Sequence, residues 1–129
     1  MSCVLTQGEG QAQPAANDVS SRVMKVYISQ FVGPTTLQSM PLAAGLLAAS
    51  ARRDPRLREA VEFRIVTSRI DPDDAVDRYI RPDILAFSCY TWNGRYTLEV
   101  ARRSTLRFPD ALCVLGGPSV PRGLRLARG

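Results

Sequence analysis

Four short apolar segments, each separated from the next by a stretch long enough for a helix, constrain this chain more than any other feature. They are Val23–Ser29 (VMKVYIS), Val61–Thr67 (VEFRIVT), Asp83–Tyr90 (DILAFSCY) and Ala111–Gly117 (ALCVLGG). Apart from Lys25, the first is apolar on both faces, as are the third and fourth. Such strands belong inside a sheet that is covered on both sides. Val61–Thr67 alternates apolar and charged residues, which suits an edge position. Between the first two strands, Pro41 suits a first helical turn and Asp54-Pro55 ends the helix. Leu42, Leu46 and Ala49 form one stripe of that helix, with Ala43, Leu47 and Ser50 beside it. Asp71-Pro72-Asp73-Asp74 starts a second helix: a capping Asp, a Pro at the first position, and acids at the positive end of the dipole. That helix stops before Pro82. Asn93 is placed to cap a third, whose apolar stripe is Leu98, Ala101, Thr105 and Phe108.

Strand and helix alternate with short connections, which calls for a parallel sheet with right-handed crossovers. The connection after the first strand, Gln30–Thr36, reads QFVGPTT and carries no GxGxxG. That disfavours a dinucleotide fold. The expected architecture is α/β: a flavodoxin-like (Rossmann-like) three-layer fold with a parallel sheet of order 2-1-3-4, lacking the fifth strand. The outer edge of Ala111–Leu115 is then expected to be open. Residues 1–21, rich in Gln, Gly, Ala and Ser, read as a disordered arm. Residues 22–122 read as one domain, truncated at its carboxyl end, and 123–129 as an irregular tail.

The 129 residues are enough for one domain with a real core. There is no histidine. Ser-His-Asp and Cys-His nucleophiles, HExxH zinc sites and imidazole metal ligation are therefore excluded. Cys3, Cys89 and Cys113 are too sparse for a disulfide framework or a CxxC cluster loop, and they fit a reducing cytoplasm. The formal charge of +5 comes from arginines scattered along helical segments, and reads as solvated helix surface rather than a nucleic-acid patch. No apolar run is long enough to cross a membrane, and the first residues lack the pattern of a secretory signal.

In open parallel sheets ligands bind beyond the carboxyl ends of the strands, where the strand order reverses. Three loops should converge there: Gln30–Thr36, Ser88–Asn93 and Gly116–Pro121. They hold no acid cluster for a phosphoacceptor and no P-loop. They hold small residues, neutral hydrogen-bonding groups and one indole. Gly116-Gly117-Pro118 permits close backbone approach to a bulky ligand, or is a plain turn. Trp92 either faces a ligand or caps the core. Cys89 and Cys113 lie within strand patterns and read as buried, inert thiols.

From Lys25 to about Arg122 the chain resembles the amino-terminal cobalamin (vitamin B12)-binding domain that precedes radical S-adenosylmethionine (SAM) enzymes. The matching pieces are KVYISQ, LAAGLLAASARRDPRLRE, VEFRIV, PDILAFSCYTWN and FPDALCVLGGPSVP. The resemblance implies a flavodoxin-like module holding a corrinoid. By position, Ser88, Gly116 and Gly117 would contact the nucleotide tail, with Pro118 beside them. Gln30 in the first-strand loop, and Cys89, Tyr90, Thr91 and Trp92, would face or flank the corrin. Trp92 would lie against its lower face. The DxHxxG loop of many cobalamin domains is replaced here by the first-strand loop, so cobalt takes no histidine ligand from this sequence. The CxxxCxxC iron–sulfur motif is also absent, so no cluster and no catalytic residue are assigned. The expected role is to position cobalamin for a radical SAM-type methyltransferase domain, in a partner or in a missing part of the same protein, or in a homodimer. Neither nucleic acid nor membrane is an expected partner. The alternative is a non-catalytic flavodoxin-like remnant or interaction domain with no tight ligand.

Overall fold

The computed structural model describes residues 3–5, 22–32 and 40–123. Its elements are β1 (Cys3–Leu5), β2 (Met24–Val32), α1 (Leu42–Arg53), α2 (Pro55–Arg58), β3 (Val61–Ser68), α3 (Pro72–Asp77), β4 (Ile84–Ser88), α4 (Gly94–Arg107) and β5 (Leu112–Gly116). The four strands expected from sequence run parallel in the order β3-β2-β4-β5. This is the 2-1-3-4 order of a flavodoxin-like sheet, and β3 takes the edge that its alternating pattern suits.

The edge of β5 is not open. Cys3–Leu5 pairs antiparallel with it, Cys3 against Leu115 and Leu5 against Cys113. These residues fall in the segment expected to be disordered. The backbone groups of an apolar edge recruit any extended segment that reaches them, and Cys-Val-Leu is the least polar triplet of the arm. The rest of the arm and the last six residues lie outside the described residues.

Helices cover the two faces of the sheet unequally. On one face, α3 and α4 enclose a core of Tyr27, Phe31, Tyr79, Leu85, Phe87, Cys89, Val100, Ala101, Cys113 and Leu115. Phe31 meets Tyr96 edge-on, with ring centroids 4.8 Å apart. Asp71 caps α3 as expected, its carboxylate accepting from the Asp73 amide at 2.9 Å. Arg103 of α4 reaches Asp73 of α3 at 2.6 Å. Arg102 first, then Arg103, hydrogen-bond Glu99 and hold its carboxyl down at about 2.

On the other face, α1 lies over β2 and β3, and here the expected stripe is wrong. Ala44 and Ala48 are buried against Val26 and Ile28, whereas Leu42 and Leu46 are exposed, as is Leu47 beside them. Methyl-sized side chains let the helix sit close to the sheet. The larger leucines on the opposite side of the helix cannot turn inward without lifting it.

Candidate cofactor site at the carboxyl ends of the strands

The site is held together by one side chain that the sequence suggested only as a helix cap. Asn93 occupies the N-cap position of α4 but makes no side-chain cap bond. Instead its amide nitrogen donates to the Phe31 carbonyl at the end of β2 (3.0 Å) and to the Ser88 carbonyl at the end of β4 (3.2 Å). Its Oδ1 accepts from the Tyr90 amide at 2.8 Å. Fully buried, Asn93 therefore ties two strand ends to the loop between them. Its position between Ser88 and the helix was the available signal, but that signal reads equally well as a cap.

The loop after β5 joins the same unit. The Cys89 amide donates to the Gly116 carbonyl at 2.7 Å, and the Ser119 amide to the Cys89 carbonyl at 3.2 Å. The Thr91 and Ser119 hydroxyls lie 3.4 Å apart. Ser88 and Gly116 are register partners across β4 and β5. They alternate with the core residues Phe87 and Leu115, so both face the α1 side of the sheet.

The two glycines differ. A Cβ placed on Gly116 would meet no atom of the described residues within 4 Å. On Gly117, which has φ +105°, a Cβ would fall on the Cys89 carbonyl oxygen and 3.0 Å from its amide nitrogen. Gly117 is thus required by the fold itself: a left-handed turn packed on the neighbouring backbone. Gly116 borders space that none of the described residues fills.

The loop after β4 carries an aromatic pair. The Tyr90 and Trp92 rings stack with centroids 4.6 Å apart and planes 7° from parallel. Trp92 is 65% exposed, so it does not cap the core. A flat apolar surface is held out at the end of the sheet.

Two of the candidate residues turn elsewhere. Gln30 lies inside β2, which runs on to Val32, rather than in a loop. It is buried, and its Oε1 accepts from the Ala44 amide at 3.3 Å, pinning the start of α1 to the sheet. The Cys89 side chain is wholly buried in the core, and burial pushes its thiol up to about 11. Only its backbone borders the site. Thr91 and Pro118 are exposed on the rim. The structure thus brings Ser88, Tyr90, Thr91, Trp92, Gly116, Gly117 and Pro118 to one end of the sheet. Residues 33–39 lie outside the described residues.

A concavity of about 590 Å³ opens at the opposite, amino ends of the strands, lined by Arg22, Val23, Lys25, Arg81, Pro82, Asp83 and Asp110. Arg22 pairs with Asp83, whose other oxygen takes the Lys25 amide at 2.7 Å. These bonds close the start of β2 against the start of β4. No helix among the described residues is long and apolar enough to cross a membrane.

No family model matches the chain. Two curated proteins do. The cobalamin-dependent radical SAM methyltransferase TokK of Streptomyces tokunonensis is 40% identical over 105 residues, which is 81% of this chain and 15% of TokK. The 2-(S-pantetheinyl)-carbapenam-3-carboxylate methyltransferase of Streptantibioticus cattleyicolor is 41% identical over 98 residues, 75% of this chain and 14% of that protein. The chain therefore spans about one seventh of the length of these relatives, and it is homologous to methyltransferases of which TokK depends on cobalamin.

Proposed function

We propose that this chain is a cobalamin-binding module that positions the corrinoid for a radical SAM-type methyltransferase domain. The observation that carries the reading is the open position at Gly116. It is the register partner of Ser88, and the loop that carries the stacked Tyr90–Trp92 pair leaves the same end of the sheet, where α/β folds take ligands. The homology to TokK supplies the chemical class.

The residues present fit such a group. A strand position with no Cβ, and with none of the described residues above it, admits a bulky tail against the β5 backbone. The Ser88 hydroxyl can donate or accept there. The stacked rings offer a broad, rigid plane of the kind that a flat macrocycle covers. Cobalamin, when bound, supplies methyl-group carriage, while this chain supplies binding, orientation and exclusion of water. With no histidine in the sequence, no imidazole from this chain competes for cobalt. An indole N–H is only a donor, so Trp92 acts by covering the ring. Gln30 and the Cys89 thiol have no part in this reading, because both face inward.

Titration of the purified chain with hydroxocobalamin, followed by visible absorption, tests the reading. A saturable spectral change is expected. Gly116→Leu should abolish it while leaving the far-ultraviolet dichroism and the thermal midpoint nearly unchanged. A parent chain with no saturable change would sink the proposal, and equal affinity in Gly116→Leu would remove the β4–β5 end from the site.

A further inference from the structure

The α1 side of the sheet is finished differently from the rest of the surface. An isolated helix on a domain surface normally turns charged or polar residues to water, opposite its buried stripe. Here the outward residues Leu42, Leu46 and Leu47 are 61%, 61% and 59% exposed, and Met40 just before the helix is 77% exposed. No charged residue occurs from Met40 to Ala51. The sheet beside the helix is thinly covered as well. Leu112 and Val114 alternate with the core residues Cys113 and Leu115, so they point to the α1 side; both are only half-buried. A parallel sheet is ordinarily covered on both faces.

Charge bounds this surface at one end. Arg52 and Arg53 close α1, and neither guanidinium has an acidic partner among the described residues. Arg56 is taken by Asp54 at 2.7 Å.

We propose that the outer face of α1 is a docking surface for a second, different protein domain, one with an apolar centre and acidic groups at the rim that meets Arg52 and Arg53. A second copy of this chain fits less well. Two α1 helices packed antiparallel would set Arg52 and Arg53 against Met40 and Leu42 of the other copy, in a stretch (residues 33–51) whose sequence contains no acid. The relatives point to the occupant. A match of 105 residues within 129 must include residues 25–105, and hence all of α1. In TokK the corresponding segment sits in a chain more than six times as long. The occupant is a domain of the kind that makes up that unmatched length. The inference rests on the homology and on the exposed face, and it does not depend on cobalamin binding.

The test places this chain in TokK, in place of the segment that it matches. The chimera should melt in a single calorimetric transition. Leu46→Lys with Leu47→Lys should split it into two, the module melting apart from the remainder. The same pair of substitutions in the isolated chain should leave its thermal midpoint within a few degrees, which separates lost docking from lost folding. A chimera that already melts in two steps, or a variant that melts like its parent, overturns the proposal. So does an isolated chain that sediments as a dimer and is made monomeric by Leu46→Lys, since the occupant is then a second copy. Visible absorption on adding hydroxocobalamin reports the other site. If that signal is absent while the single transition persists, the cobalamin reading fails and the docking face stands.

Discussion

The two faces of the sheet are built to different standards. Under α3 and α4, six aromatic or leucine side chains (Tyr27, Phe31, Tyr79, Leu85, Phe87 and Leu115) are almost wholly buried. Their polar groups are matched: the Tyr79 and Ser29 hydroxyls lie 2.6 Å apart, and the Tyr96 hydroxyl both donates to the Ile70 carbonyl and accepts from its amide. Under α1 the buried helix residues are two alanines, and the leucines face outward. Burial stabilises in proportion to apolar area removed from water, so the first face supplies most of the folding free energy. The second has surface left over. That leftover surface is what the proposed docking domain would cover.

Truncation on each face measures the contrast. Phe31→Ala, on the closed face, should destabilise by about 3–5 kcal/mol, as for other fully buried aromatics. Leu46→Ala, on the open face, should cost at most about 0.5 kcal/mol. Urea denaturation of both variants decides it. If Leu46→Ala proved as damaging as Phe31→Ala, the outer face of α1 would already be covered in the isolated chain.

The contrast also explains what could be read from the sequence. The four parallel strands were legible because each is a run of β-branched or apolar residues bounded by helix signals, and the strand order followed from the absence of a glycine fingerprint after β2. The loops forming the site followed from topology alone. The inward stripe of α1 was not legible, because residue size argues for burying Leu42 and Leu46. Only the close approach of helix to sheet selects Ala44 and Ala48. β1 is three residues long in a polar arm, too short for any periodicity. Asn93 and Gly117 each had an ordinary local reading, as a cap and as a turn beside a ligand. Their real partners, Phe31 and Cys89, are distant in sequence, and only tertiary structure brings them together.

The glycine pair carries the next largest effect. Gly117→Ala forces a side chain into a left-handed conformation and onto the Cys89 backbone, which should cost about 2–4 kcal/mol. Gly116→Ala should change stability by less than about 1 kcal/mol, because its Cβ enters empty space. Thermal unfolding of the two single variants tests this. Equal losses would mean that the space beside Gly116 is needed by the fold and is not kept open for a ligand.

The smallest effect tests how complete the closed face is. Thr97, in the first turns of α4, is wholly buried, and its hydroxyl is the one buried side-chain polar atom among the described residues with no hydrogen-bond partner. Leaving such a group unpaired costs free energy, of order 1–3 kcal/mol in mutational series. Valine has nearly the same shape and no hydroxyl. If the face under α4 is a dry, finished core, Thr97→Val should raise stability by about 1 kcal/mol, with the spectrum of any bound corrinoid unchanged. Thr97 follows Asn93 by one helical turn and lies just behind the strand-end loops. A loss of stability on Thr97→Val would therefore mean that the hydroxyl holds a water or a ligand group in solution. The boundary between the finished core and the open site would then lie one turn deeper into α4 than the exposed Trp92 suggests.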